Sequence, residues 1–110
     1  MKNLILEKIS EYGDVSFADI QRIDKSQGDM TLFYGPAEDN CVLWSNLSET
    51  VCTAIKDLQK EGLIEYKRLP SILIYVIDGT LLELPIAKRI KKYKKLHWLP
   101  VILVRKEVKK

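Results

Sequence analysis

The feature that most constrains the fold is an abrupt change of hydrophobic period at Gly62. Before it, apolar side chains recur at helical spacing, and Asn46 or Ser48 is placed to cap the first turn. The inward face of this helix would carry Val51, Ile55 and Leu58. Gly62 suits the left-handed conformation that ends a helix. Because residues 63–68 then have an extended pattern, the sequence predicts a capped helix leading directly into a strand.

Two shorter helices are predicted upstream of this junction. Residues 2–12 have one apolar stripe and end at Gly13. Ser16 is placed to begin a second helix over residues 17–24, with Asp19 three residues on completing a capping box. These patterns predict a helical first half.

The stretch between the second and third helices is less regular. Residues 24–40 are polar and hold Gly28, Gly35 and Pro36. They predict a loop, with a short extended piece at 32–34. Residues 41–44 form an apolar run that predicts a brief buried strand.

Extended patterns dominate the second half of the chain. The predicted strands after residue 68 are 72–77, 80–84 and 99–104. A turn is predicted at Pro70 and Ser71, and a two-residue hairpin turn at Asp78 and Gly79. Pro100 places the last strand at a sheet edge. Residues 86–96 form either a short basic helix or a charged loop.

Together these elements predict one α+β domain over residues 1–110. Its parts would be a helical region (1–62), a wing sheet (63–84) and a basic C-terminal extension (85–110). The order helix, helix, capped helix and hairpin is that of a winged helix-turn-helix. In such domains the third helix faces a groove of the nucleic acid, and the hairpin, called the wing, touches the nucleic-acid backbone. The run 47–66, ending Leu-x-x-x-Gly-Leu-Ile, resembles the recognition helix and first wing strand of winged-helix regulators.

Charge is divided unevenly along the chain. Residues 1–50 hold nine acidic and four basic side chains, whereas residues 51–110 hold six acidic and fourteen basic ones. The segment 88–95, called the basic segment below, has six positive charges in eight residues. Such a density attracts phosphates and releases counterions. The distribution indicates an anionic partner, and the alternative is a solvated surface.

The predicted nucleic-acid contacts lie in and around the basic segment. From the third helix and the wing come Lys56, Lys60, Lys67 and Arg68; from the basic segment come Lys88, Arg89, Lys91, Lys92, Tyr93, Lys94 and Lys95. Tyr93 either stacks on an unpaired base or packs in the core. Trp44 and Trp98 are predicted core residues, and Tyr66 and Tyr75 a cross-strand pair.

The sequence has few residues that could form a catalytic or metal-binding site. His97 is the single histidine, and Cys41 and Cys52 lack partners at zinc-ligand spacing. We therefore expect no enzyme activity, cofactor, metal or small-molecule substrate. Both cysteines lie in apolar runs, which suits buried, reduced thiols in a soluble cytoplasmic protein. We expect no membrane segment, because no apolar run reaches the about 20 residues that one needs.

A narrower resemblance involves three further motifs. The runs 75–88 (Tyr-Val-Ile-Asp-Gly-Thr-Leu-Leu-Glu-Leu-Pro-Ile-Ala-Lys) and 93–101 (Tyr-Lys-Lys-Leu-His-Trp-Leu-Pro-Val) resemble small proteins encoded on staphylococcal pathogenicity islands and cassette chromosome elements. With the run 42–48 (Val-Leu-Trp-Ser-Asn-Leu-Ser) this resemblance spans most of the chain. This resemblance implies a replication accessory that binds single-stranded DNA, with a replication enzyme as a further partner. Two alternatives stay open: a duplex-binding transcriptional regulator, and a protein-interaction module that docks a polymerase or helicase.

Overall fold

A computed structural model describes residues 1–68, 75 and 82–106. The chain is an α+β protein, as predicted. Its helices are α1 (Lys2–Tyr12), α2 (Phe17–Gln21) and α3 (Glu49–Lys60), with a 3-10 turn at Ala37–Asp39. Its strands are β1 (Asp14–Ser16), β2 (Gln27–Phe33), β3 (Cys41–Leu47), β4 (Ile64–Arg68), β5 (His97–Trp98) and β6 (Val101–Arg105).

The helix boundaries follow the predicted capping residues. The Ser16 hydroxyl accepts a hydrogen bond from the Asp19 backbone N–H at 3.2 Å, and the Asp19 carboxylate accepts one from the Ser16 N–H. The Ser48 hydroxyl caps α3 by accepting a hydrogen bond from the Val51 backbone N–H at 3.2 Å. Gly62 follows with a φ of 75°, a conformation that costs glycine little. The predicted capping of α2 and α3 is therefore confirmed, although α2 ends at Gln21 rather than at residue 24.

The first sheet has the order β1-β6-β4, and both pairings are antiparallel. Strand β6 is central, so the prediction of an edge strand there is wrong. The prediction failed because β1, from the start of the chain, pairs with β6 at Asp14↔Val104 and occupies its second edge. Strand β4 likewise pairs with residues 101–105, which lie outside the predicted wing sheet of residues 63–84. Residues 101–105 of the predicted C-terminal extension therefore belong to the first sheet.

The second sheet has the order β2-β3-β5. Strand β2 runs antiparallel to β3 with an irregular register, and β5 runs parallel to β3. The prediction of a loop is therefore wrong for residues 27–31, whereas the extended piece predicted at 32–34 is confirmed at residues 32 and 33. Only Leu32 in β2 is buried, since this strand lies at the sheet edge. Its polar composition reflects that exposure. The predicted strand at 41–44 is confirmed and extends to Leu47.

A cluster of aromatic rings connects the second sheet, α2 and Tyr75. The Trp44 ring centroid lies 6.2 Å from that of Phe17, 5.1 Å from that of Tyr75 and 5.8 Å from that of Trp98. All four side chains are buried. The predicted core positions of Trp44 and Trp98 are confirmed.

The rings of Tyr66 and Tyr75 have different neighbours from those predicted. Tyr66 packs against Phe17 and Tyr34, and burial raises the pKa of its phenol. Tyr75 packs against Trp44 and Trp98 and has a helical backbone, so a strand at this position is wrong. The predicted turns at residues 70–71 and 78–79, and the rest of strand 72–77, lie outside the described residues. Residues 82–84 are not a strand.

Tyr75 connects α2 to the first sheet through its hydroxyl group. This oxygen accepts a hydrogen bond from the Phe17 N–H at 3.1 Å and donates one to the Val101 carbonyl at 2.7 Å. Phe17 is the first residue of α2, where backbone N–H groups have no partner within the helix. We expect Tyr75→Phe to lower the free energy of unfolding by about 1–3 kcal/mol, because it leaves buried polar groups unsatisfied. Urea denaturation measures this loss, and the exposed control Tyr12→Phe is expected to change it by less than about 0.5 kcal/mol.

Two further sequence expectations concern thiols and membranes. Cys41 and Cys52 are both buried and free, as predicted, and burial raises the pKa of the Cys52 thiol. Among the described ranges, none of the helices has the length and apolar character needed to cross a membrane.

Candidate nucleic-acid interface

The basic segment forms an irregular loop on the surface. Its backbone is neither helix nor strand, so of the two structures predicted for residues 86–96 the charged loop is the one observed. All six cations of the segment are exposed. The exposed apolar side chains Ile86, Ile90 and Leu96, with 41%, 50% and 44% of their surface accessible, are interspersed with them. The surface therefore combines positive charge with apolar contact area.

The C-terminal half of this loop is anchored to the residues that precede and begin β3. The Tyr93 N–H donates to the Asp39 carbonyl at 2.9 Å, and the Asn40 side-chain amide donates to the Tyr93 carbonyl at 2.7 Å. The Cys41 thiol donates to the Lys91 carbonyl at 3.2 Å. These bonds use backbone groups of the loop, so the lysine side chains are left free to face solvent.

The N-terminal half is anchored by Arg68 and by β5. The Arg68 guanidinium, at the end of β4, donates to the Lys88 carbonyl at 3.0 Å. The Ala87 N–H donates to the Trp98 carbonyl at 2.7 Å, and the Trp98 N–H donates to the Pro85 carbonyl at 2.8 Å. Arg68, one of the predicted nucleic-acid contacts, thus supports the basic segment, and its positive charge lies beside the segment's first residues.

Tyr93 was predicted either to stack on an unpaired base or to pack in the core, and in the structure its ring packs within the basic segment. Its side chain is half-buried, and its hydroxyl donates to the Arg89 carbonyl at 2.7 Å and accepts from the Arg89 N–H at 3.3 Å. The ring stacks on His97 with centroids 3.9 Å apart and planes inclined by 21°. The Lys91 ammonium lies 5.0 Å from the ring centroid. Tyr93 therefore closes the loop into a compact turn, and its stacking partner is His97.

A pocket of about 310 Å³ opens within this loop. Its described lining residues are Ile86, Lys88, Arg89, Lys91, Tyr93 and His97, none of them acidic. In the part of the chain that the structure describes, the side chains of Lys88, Arg89 and Lys91 form no ion pair. Three uncompensated cations thus surround an aromatic pair.

The other predicted contact residues do not join this site. Lys56 and Lys60 are exposed on α3, and Lys67 is exposed on β4. No hydrogen bond, ion pair or ring contact among residues 1–68, 75 and 82–106 connects these three lysines to the basic segment. Lys67 and Arg68 are consecutive in a strand and point to opposite faces, which is why only Arg68 reaches the loop.

The outer face of α3 has mixed charge and is partly covered. Thr50, Thr53 and Asp57 line a second pocket, of about 430 Å³, together with the first three residues of the chain. Glu61 forms an ion pair with Lys2, and this hydrogen bond raises the pKa of the Lys2 ammonium. This face therefore has few features of a helix that reads phosphates or guanine edges.

Three positioning residues of the candidate site were absent from the sequence-based set. They are Asp39, Asn40 and His97, which anchor the basic segment or stack within it. The sequence held no signal for any of the three, because the loop containing Tyr93 and His97 is not helical and the contacts of Asp39 and Asn40 with residue 93 depend on the tertiary fold.

No known protein family model matches the chain, and neither the curated proteins nor the solved structures provide a match. Within the described residues, His, Cys, Asp and Glu side chains form no group that could hold a metal ion.

The anchoring of the loop by Asn40 is testable without any ligand. Asn40 has a φ of 61°, so glycine is the substitution that removes the amide without backbone strain. We expect Asn40→Gly to speed tryptic cleavage within the basic segment about fivefold, because losing a hydrogen bond worth about 1 kcal/mol favours local opening. The matched control is Asn46→Gly, an exposed left-handed asparagine in β3, which should leave the cleavage rate there unchanged. Equal rates in all three proteins would contradict the anchoring role.

Proposed function

We propose that this chain is a winged-helix protein that binds single-stranded DNA through the basic segment, as an accessory to the replication of a mobile genetic element. In this proposal it is a non-catalytic cytoplasmic protein, and a replication enzyme is its further partner. The observation that carries the proposal is the exposed loop of residues 88–95, where six cations lie among accessible apolar side chains on an anchored backbone.

The order of the elements supports the winged-helix part of the proposal. Three helices precede the antiparallel strands β4 and β6, and β4 begins directly after the glycine that ends α3. That is the order in which a winged helix presents its third helix and its wing. Two features are additions to the simple pattern: the β2–β3 hairpin lies between α2 and α3, and residues 69–100 lie between β4 and β6.

The mixed character of the loop supports a single strand over a duplex. A duplex presents its phosphates on the outside and keeps its bases stacked, so exposed apolar side chains gain little from it. A single strand presents unpaired bases as well as phosphates, and proteins that bind it combine a positive groove with surfaces on which bases stack. Ile86, Ile90 and Leu96 offer apolar contact area to unpaired bases beside the cations.

The face of α3 also argues against duplex reading by that helix. It has no arginine, its exposed residues include Asp57 and Glu61, and Lys2 is paired with Glu61. Arginine is the side chain best suited to bidentate contact with guanine. Binding through phosphate contacts at residues 88–95 therefore has more support than sequence-specific reading by α3.

The proposal is tested by fluorescence anisotropy with a labelled single strand and the matching duplex over a range of salt concentrations. We expect stronger binding to the single strand and a steep, linear fall of log K with log salt concentration. Preference for the duplex would support the transcriptional regulator instead. No binding to either at low salt would overturn the proposal and point to a protein partner.

A further inference from the structure

We propose that the pocket lined by Ile86, Lys88, Arg89, Lys91, Tyr93 and His97 holds one nucleotide unit, with its phosphate on the cations and its base against the Tyr93–His97 pair. This inference deepens the proposed function and rests on it. In this pocket a single phosphate and a single base of the strand are bound together.

The size of the pocket fits one nucleotide. Its volume of about 310 Å³ is at the lower end of the range of small-ligand pockets, about 300–1,000 Å³. A longer stretch of strand would have to continue over the exposed surface outside it, where Lys92, Lys94 and Lys95 lie.

The charge of the pocket selects an anion. Lys88, Arg89 and Lys91 line it, and none of its described lining residues is acidic. Arg68 adds a fourth positive charge where its guanidinium bonds the Lys88 carbonyl. Arginine and lysine at one opening are the usual partners of a phosphate group.

The aromatic pair selects a base in addition to the phosphate. His97 stacks on Tyr93 at 3.9 Å, and its Nδ1 lies 2.8 Å from the Lys95 carbonyl, which fixes the orientation of the imidazole. The Tyr93 ring is held in turn by its two hydrogen bonds to the backbone of Arg89. Two rings that are already ordered lose little entropy when a base stacks on them.

The probes are thymidine monophosphate, thymidine and inorganic phosphate, each titrated into the full chain and followed by NMR. We expect thymidine monophosphate to bind about 5- to 150-fold more tightly than inorganic phosphate, the range that base stacking on an aromatic side chain provides. The His97 ring signals should shift with the same affinity. Equal affinity for the two anions, or unshifted His97 signals, would overturn the inference.

Variants at His97 separate stacking from charge. His97→Ala should lose the preference for the nucleotide over phosphate, whereas His97→Phe should retain it because the ring is preserved. Circular dichroism shows whether either variant remains folded. If His97→Ala keeps the preference, or if a folded His97→Phe loses it, the stacking role is wrong.

A parallel titration with a labelled oligonucleotide distinguishes failure of the pocket from failure of the proposed function. Tight oligonucleotide binding without any change at His97 would overturn the pocket and leave strand binding in place. Nucleotide binding that shifts His97 without oligonucleotide binding would support the pocket and refute strand binding.

Discussion

Replacing Lys91, Lys92, Lys94 and Lys95 together by glutamine is expected to weaken binding to single-stranded DNA by about 100-fold or more near 0.1 M salt. All four side chains are exposed and lie on one anchored loop, so their charges act on the same stretch of strand. Each lysine that neutralises a phosphate of a single strand contributes about 0.7 to the slope of log K against log salt concentration. The slope should therefore fall by up to about 3, which a salt titration of fluorescence anisotropy measures.

A matched pair of double variants controls for net charge. Lys94→Gln with Lys95→Gln removes two charges from the loop, and Lys8→Gln with Lys25→Gln removes two charges from the acidic half of the chain, where Lys8 is half-buried and Lys25 is exposed. The first pair should reduce both affinity and slope, and the second should change neither appreciably. Equal effects of the two pairs would mean that net charge alone drives binding and that the loop is not the interface.

Replacing Trp44 by alanine is expected to lower the free energy of unfolding by about 3–5 kcal/mol. Only 2% of the Trp44 side chain is accessible, and its ring contacts those of Phe17, Tyr75 and Trp98. Truncation removes these contacts and leaves a cavity where the second sheet, α2 and Tyr75 meet. The total free energy of unfolding of a small domain is about 5–15 kcal/mol, so the variant should unfold at a much lower urea concentration than the wild type.

Two milder variants locate the source of that loss. Trp44→Phe keeps an aromatic ring in the cluster and should cost less than the alanine variant. Gln21→Ala removes the acceptor of the Trp44 indole N–H, at 3.2 Å, and should cost about 1 kcal/mol. A Trp44→Ala protein that loses less than about 1 kcal/mol would contradict a central role for this ring.

Local sequence patterns were sufficient to predict the elements whose determinants lie close together in the chain. The capping box at Ser16, the Ser48 cap and the Gly62 stop involve residues within a few positions of one another, and the structure has all three. The buried face of α3 was predictable for the same reason, since its spacing is set by the helical period. The density of positive charge at residues 88–95 is likewise a property of the sequence itself.

Only the tertiary structure decided which strands pair and where the loop of cations is held. Strand β6 is central because β1, from the other end of the chain, pairs with it, and no local pattern contains that partner. Residues 27–31 of strand β2 were not predicted as a strand, because an exposed edge strand has few apolar side chains to show its period. Asn40 holds Tyr93 across 53 positions of sequence, and Arg68 holds Lys88 across 20. The sequence by itself therefore determined the helices, the caps of α2 and α3 and the charge of the candidate site. Folding determined the shape of the site, because hydrogen bonds and packing between distant segments create the pocket.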